Sequence, residues 1–409
     1  MIYWFIHILV LGALSYLFYQ RQHNELSLQL YGAALALKLS AGIILGLIFF
    51  YHYGSGDTIA FFEKATQLSN LSISDHLSSL IADGSYATTN HPRDLFFVKI
   101  ISVITRLNGG SYWITSLYLS FISFVASWYF VVTMCTIFPR IRSVVILSFL
   151  FIPSVIFWSS GVLKDTISFA ALIFLVAITV KMIYISRRSP LDIFLGLLSL
   201  ILLLQLKHYL FITYILFAGM SISLHFLAVI KNKMKWIAAL VISIVVIGST
   251  QYIHPYLKWE RMPQTIVEIN TTIADNYTEY DQPNISLDPT WSSIIKASPE
   301  ALHTGLVRPS ILDQTALFGW VHKIENLLLT ILMVLSLLLW LKEKPKLNKT
   351  LLIPALLSIC LLATMLGLTT PNFGTLVRYK NAFMPFLFLI ALILPFRYFS
   401  SANSEKNMS

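Results

Sequence analysis

Charge is scarce in this chain. Only 12% of its 409 residues are Asp, Glu, Lys or Arg, while 56% are hydrophobic. Soluble domains carry about 25% charged residues, so this composition excludes an ordinary soluble enzyme. Cysteine is nearly absent too. Cys135 and Cys360 each lie inside an apolar run, which leaves no disulfide framework and no zinc-site spacing. His52, His76, His91, His254, His303 and His322 are scattered without the spacing of metal ligands. What the chain has instead is apolar runs of bilayer length. They do not alternate residue by residue, as the strands of a membrane barrel do. The class is therefore all-α, a polytopic bundle of transmembrane helices. A net charge of +10 would suggest nucleic acid in a soluble protein. In a membrane protein, basic residues mark cytoplasmic loops, and no nucleic-acid partner is expected.

Eleven spans are expected, near 2–19, 30–51, 112–134, 143–159, 165–185, 191–206, 209–230, 236–253, 322–341, 350–369 and 381–397. All belong to a single integral membrane domain, 1–409. The first segment lacks a basic start and a small-residue cleavage site, so it reads as a retained span. The stretch 94–107, "DLFFVKIISVITRL", is interrupted by Lys99 and Arg106 and reads as an interfacial helix. Short loops around "RQHNE", "PRIR", "KMIYISRRS", "KNKMK" and "LKEKPKLNK", with the tail, hold fifteen cations against four acids. Such loops face the cytoplasm. The C-terminus is then inside and, with an odd number of spans, the N-terminus outside. Two long loops, 52–111 and 254–321, lie on the outer side.

That outer side also gathers the residues with chemistry in them. "GSGDTIAFFEKA" puts Asp57 at the membrane surface behind a flexible Gly-Ser-Gly, with Glu63 nearly two helical turns on. A carboxylate there could take a proton from an attacking hydroxyl or hold a divalent cation against a phosphate. It could equally start a helix. "FWSSGVLKDT" interrupts two apolar runs with Lys164 and Asp165. Asp165 can cap the following helix. Lys164 opposes the helix dipole and strengthens a site where an anion could bind. Lys207 and His208 share a turn too short to leave the membrane boundary. Arg308 precedes Pro309, and Arg378, Tyr379 and Lys380 stand before the last span. Arginine suits a phosphate gripped by two parallel hydrogen bonds, and each of these cations could also simply meet lipid headgroups. Together they fit a lipid phosphate or diphosphate held at the boundary. Apart from Lys38 the spans are nearly free of charge, and no internal repeat is visible. Both features weigh against a transporter or flippase of lipid-linked sugars. A purely structural assembly partner is a third reading.

The stretches "GSGDTIAFFEKA", "PSVIFWSSGVLKD", "GLVRPS" and "NFGTLVRYKNAFMPF" resemble bacterial O-antigen or exopolysaccharide polymerase-like membrane proteins and the related multispan glycosyltransferases of the C-type fold. The likeness covers the whole chain in topology and these four stretches in residues. It implies a sugar donor on a polyprenyl phosphate or diphosphate, a glycan acceptor, and transfer on the outer side of the bacterial inner membrane. It implies that Asp57 serves as base or metal ligand, and that Arg308 and Arg378 grip the lipid phosphates with help from Lys164. The paired acidic residues of many C-type enzymes are missing, since Gly56 and Thr58 flank Asp57. That favours a polymerase over a single-sugar transferase. Trp259, Tyr277, Tyr280 and Trp291 of the second long loop could stack on the acceptor sugars.

Overall fold

An apolar run inside hydrocarbon must bond every N–H and C=O within itself, so it folds as a helix. A computed structural model of the chain describes residues 2–22, 26–81, 92–185, 189–229, 234–253, 257–275, 285–313, 319–345 and 347–406. Among these residues all regular structure is helical. Eight helices are long and apolar enough to cross a membrane: Tyr3–Arg21, Leu28–Tyr53, Tyr112–Ile137, Lys164–Tyr184, His208–Phe226, Met234–Tyr252, Gly319–Glu343 and Lys349–Thr369. The eleven expected spans include three further runs that the structure shapes differently. At 143–159 the chain is divided into helices Arg142–Leu150 and Pro153–Trp158, because Pro153 has no N–H to continue the ladder. The run at 191–206 forms a 17-residue helix, Pro190–Leu206, about 25 Å long against a core of about 30 Å. The last run pairs Phe373–Lys380 with Met384–Tyr398 at a 63° bend, and gives a ninth crossing if the two count as one span.

The chain forms two compact units. The first, Met1–Arg140 with Phe149–Lys207, contains α1 (Ile2–Arg21), α2 (Leu28–Ile48), α3 (Asp57–Ser69), α4 (Ile73–Ile81), α5 (Pro92–Leu107) and α6 (Tyr112–Ile137). After α7 (Arg142–Leu150), most of which belongs to the second unit, it adds α8 (Pro153–Trp158), α9 (Lys164–Tyr184) and α10 (Pro190–Leu206). Helix α9 is its centre and packs between α6 and α10. Helix α2 reaches α6 through Gly42 and Gly46, where an added Cβ would strike Ser120 and Tyr112. Expected as an interfacial helix, the stretch 94–107 is α5. It lies on α3 with Phe97, Val98 and Ile101 fully buried against Phe61, Ala65 and Leu68. Arg106 closes this layer by donating to the carbonyls of Ser69 and Leu71, 2.9 Å each.

The second unit, Ile141–Ser148 with His208–Ser409, contains α11 (His208–Phe226), α12 (Met234–Ser249), α13 (Met262–Asp275), α14 (Trp291–Val307), α15 (Gly319–Glu343), α16 (Lys349–Thr369), α17 (Phe373–Lys380) and α18 (Met384–Lys406). Helix α16 packs against α11, α13 and α14, and α15 against α18. Its closest crossing is α14 on α16. A Cβ on Gly305 would sit 2.0 Å from the carbonyl oxygen of Ala363, and one on Gly367 2.0 Å from that of Ala301. Two small-xxx-small pairs, Ala301/Gly305 and Ala363/Gly367, thus bring the backbones together, as small residues do between membrane helices.

Candidate functional site

In the first unit the candidate residues surround the starts of α3 and α9. Gly54 and Gly56 have φ of 69° and 137°, conformations that only glycine adopts cheaply. Gly56 also lies against the Phe49 ring, where a Cβ would be 2.6 Å from the nearest carbon. This turn delivers Asp57 as the first residue of α3, exposed, where the helix dipole favours a negative charge. Thr58 next to it is hydrogen-bonded to the Tyr112 hydroxyl at 2.6 Å, which pins the start of α3 to α6. Glu63 does not share Asp57's face. Six residues on a helix turn about 600°, which leaves it roughly 120° around the axis. Phe61, four residues on, does share that face, and the Lys164 ammonium lies 4.9 Å from the centre of its ring.

Both members of the Lys164–Asp165 interruption have ionic partners. Lys164 donates to Asp94 on α5 at 2.6 Å, with both side chains partly exposed. Asp165 accepts from Lys207 at the end of α10, and that pair is buried. The first turn of α9 is therefore tied to two other helices by two salt bridges of opposite sense. Asp94 is a partner that the sequence alone does not reveal, since 70 residues separate it from Lys164. The Ser-Ser-Gly before Lys164 is tied down as well. Buried Lys38 of α2 donates to Ser159, Ser160 donates to the Lys38 carbonyl at 3.2 Å, and the Gly161 N–H donates to Ser120 at 2.9 Å. On α4, His76 is buried against Ser102. Burial and the nearby Arg106 charge hold its imidazole below the ordinary histidine range.

The second unit holds the other candidates, and here two stretches 72 residues apart in sequence meet. Lys380, at the end of α17, is buried. Its ammonium donates to the carbonyls of Leu306 at 3.0 Å and Arg308 at 2.8 Å, and to Asn326 Oδ1 at 3.3 Å. An ammonium has three donors, and all three are used. Asn326 in turn donates to the Pro309 carbonyl at 2.9 Å, so α15 and α17 together hold the turn that carries Arg308. Arg308 faces Asp313, Nε to Oδ1 3.8 Å, and its Nη1 is buried with no hydrogen-bond partner among the described residues. Arg378 is half-buried, its guanidinium 5.8 Å from the centre of the Tyr379 ring. That ring is in turn 6.2 Å from Tyr209, the residue after buried His208 at the start of α11.

Helix α15 carries more polarity than its sequence suggests. Lys323, Glu325 and Asn326 are all buried in its first two turns, and His322 Nδ1 lies 3.9 Å from Glu325 Oε2. The expectation of spans almost free of charge outside Lys38 does not describe this end of α15. The available signal was the run "HKIEN" on the inner side of a span boundary, with His322 and Glu325 at i and i+3. Among the described residues no group of three or more His, Cys, Asp or Glu side chains gathers at metal-binding range. Tyr277 and Tyr280 lie outside the described residues.

Comparison with known proteins returns nothing: no family model, no curated protein and no solved structure matches this chain.

Proposed function

We propose that this chain is a membrane-embedded glycosyltransferase of the polysaccharide-polymerase type. It would transfer a sugar or repeat unit from a polyprenyl phosphate or diphosphate to a glycan acceptor, on the outer side of a bacterial inner membrane. The observation that carries this reading is the meeting of the Arg308 turn with the end of α17. Lys380 spends its ammonium on the carbonyls around Arg308, while Arg308 keeps a buried N–H donor without a partner among the described residues. A planar guanidinium with spare donors suits a phosphate oxygen. In this reading Arg308 and Arg378 hold the donor phosphate and Lys380 positions them. As the acceptor hydroxyl oxygen bonds to the sugar's anomeric carbon, the bond from that carbon to the phosphate oxygen breaks. The lipid phosphate leaves with the electron pair, its charge met by the arginines. The hydroxyl proton goes to a general base. Lys164 and Lys207 reach an anion only by exchanging Asp94 and Asp165 for it.

The buried Lys323, Glu325 and Asn326 of α15 favour a second reading, a flippase of the same lipid-linked sugars, since buried polar groups in spans mark a transport path. One experiment separates the two. The surface polysaccharide of a strain lacking the protein is resolved by chain length on a gel. Collapse of the ladder to a lipid carrying one repeat unit supports polymerisation. Lipid-linked units trapped inside support the flippase and overturn the transferase. Replacing Arg378 with Ala is expected to abolish the ladder at unchanged protein level, and a full ladder in that variant removes the phosphate-grip role.

A further inference from the structure

Trp259 and Trp291 are 32 positions apart in sequence, yet their rings stack with centroids 4.2 Å apart and planes 23° from parallel. Trp291 is the half-buried first residue of α14, behind an N-cap in which Thr290 accepts the Ser293 N–H at 3.3 Å. Trp259 lies on it and stays 59% exposed, flanked by the exposed charged residues Lys258, Glu260 and Arg261. An exposed tryptophan in a membrane protein is usually an anchor in the headgroup layer. Here the packing of α14 on α16 argues otherwise.

Helix α16 has 21 residues, about 31 Å, which matches a hydrocarbon core of about 30 Å. Its end at Thr369 therefore marks the edge of that core. The reciprocal contacts of Gly305 with Ala363 and Gly367 with Ala301 make the two helices antiparallel where they cross. Ala301 is thus opposite a residue two positions before the end of α16. Trp291 is ten residues further back along α14, with Pro299 between, a run of up to about 15 Å, and so projects up to about 12 Å past the end of the span. Headgroups occupy about 5–7 Å per leaflet. Helix α13 holds α14 in that position. Asn270 donates to the Leu368 carbonyl at 2.8 Å, and Ile266 packs with Ile294, Ala301 and Leu368.

We propose that the stacked Trp259–Trp291 pair is a glycan-binding platform that seats a pyranose ring of a carbohydrate chain in the water outside the headgroups. The C–H bonds on one face of a pyranose are slightly positive and pack on the negative face of an aromatic ring. Trp291 fixes Trp259 from behind, so little side-chain entropy is lost on binding. Lys258, Glu260 and Arg261, exposed beside Trp259 in the sequence, supply donors and acceptors suited to ring hydroxyls. The platform's role as the seat of the acceptor rests on the glycosyl-transfer reading, but its binding of sugar does not.

The test is saturation-transfer NMR on the full chain in lipid nanodiscs, with linear hexasaccharides of glucose, galactose, mannose and N-acetylglucosamine as probes. Saturation is expected to reach the C–H protons of at least one of them. It is expected to fall about tenfold in Trp259→Ala and to persist in Trp259→Phe. Three results overturn the proposal: no transfer to any probe, equal transfer in Trp259→Ala, or quenching by brominated lipid that is lost in Trp259→Phe. Failure of the two readings is distinguishable. Sugar binding by a protein whose deletion leaves the surface polysaccharide unchanged removes glycosyl transfer alone. A ladder that depends on the protein, together with no sugar binding by the unaltered chain, removes the platform alone.

Discussion

Four lysines illustrate how differently a buried or half-buried ammonium is satisfied in this chain. Lys38 has the Ser159 hydroxyl and, 5.4 Å away, the Phe169 ring. Lys164 and Lys207 have carboxylates, and Lys380 has two carbonyls and an amide oxygen. The differences matter because removing one partner of a buried pair strands the other charge, at about 3–5 kcal/mol, whereas removing both is often close to neutral. Lys207→Met and Asp165→Asn are each expected to lower the melting temperature of the detergent-purified protein sharply, and the double variant to recover most of the loss. Additive losses would mean the two side chains stabilise the fold independently. Lys164–Asp94, with side-chain exposures of 21% and 26%, is open to water and contributes about 1 kcal/mol or less.

Helices in this chain meet where the sequence is small. Lipid is as apolar as leucine, so burying leucine between two helices stabilises little, and close backbone approach through glycine, alanine and serine takes its place. The crossing of α14 and α16 at Gly305 and Gly367 is the tightest example. An added Cβ there meets backbone carbonyl oxygen, which no side-chain rotation relieves. Gly305→Leu or Gly367→Leu is therefore expected to cost 3 kcal/mol or more, beyond the upper end of the about 1–3 kcal/mol of ordinary overpacking. The readout is loss of the monodisperse peak in size-exclusion chromatography. Gly12→Ala and Gly248→Ala, which meet nothing within 4 Å, are the controls, expected to leave stability unchanged or raise it by up to about 1 kcal/mol. The pattern Ala-x-x-x-Gly stands openly in both helices, but so do many other spacings of small residues. Which of them face each other is settled only when the helices pack. The same holds for the crossing of α2 and α6, where Gly42 lies against Ser116 and Ser120.

For the whole molecule, the asymmetry of charge between loops carries a topology that can be tested directly. With Cys135 and Cys360 replaced by Ala, a cysteine at exposed Glu63 is expected to react with a membrane-impermeant maleimide on intact cells. One at exposed Lys344 is expected to react only after permeabilisation. The reverse pattern would invert the orientation and move every candidate residue to the cytoplasmic side.

Composition by itself determined that this chain is helical and apolar enough to cross a membrane many times, because hydropathy and run length are local properties that a bilayer reads one segment at a time. It also marked where the helices break, at Gly-Ser-Gly before Asp57, at Ser-Ser-Gly before Lys164 and near Asn381. It counted as whole crossings three apolar stretches that are divided by a proline, short, or bent. Only the tertiary structure decided which charges answer one another. Asp165 meets Lys207 across 42 residues, Asp94 meets Lys164 across 70, and the Arg308 carbonyl meets Lys380 across 72. The buried polar start of α15 and the stacking of Trp259 on Trp291 came from the same source. A hydropathy pattern shows where polar groups lie along the chain. Their partners depend on how distant helices pack, which no local window contains.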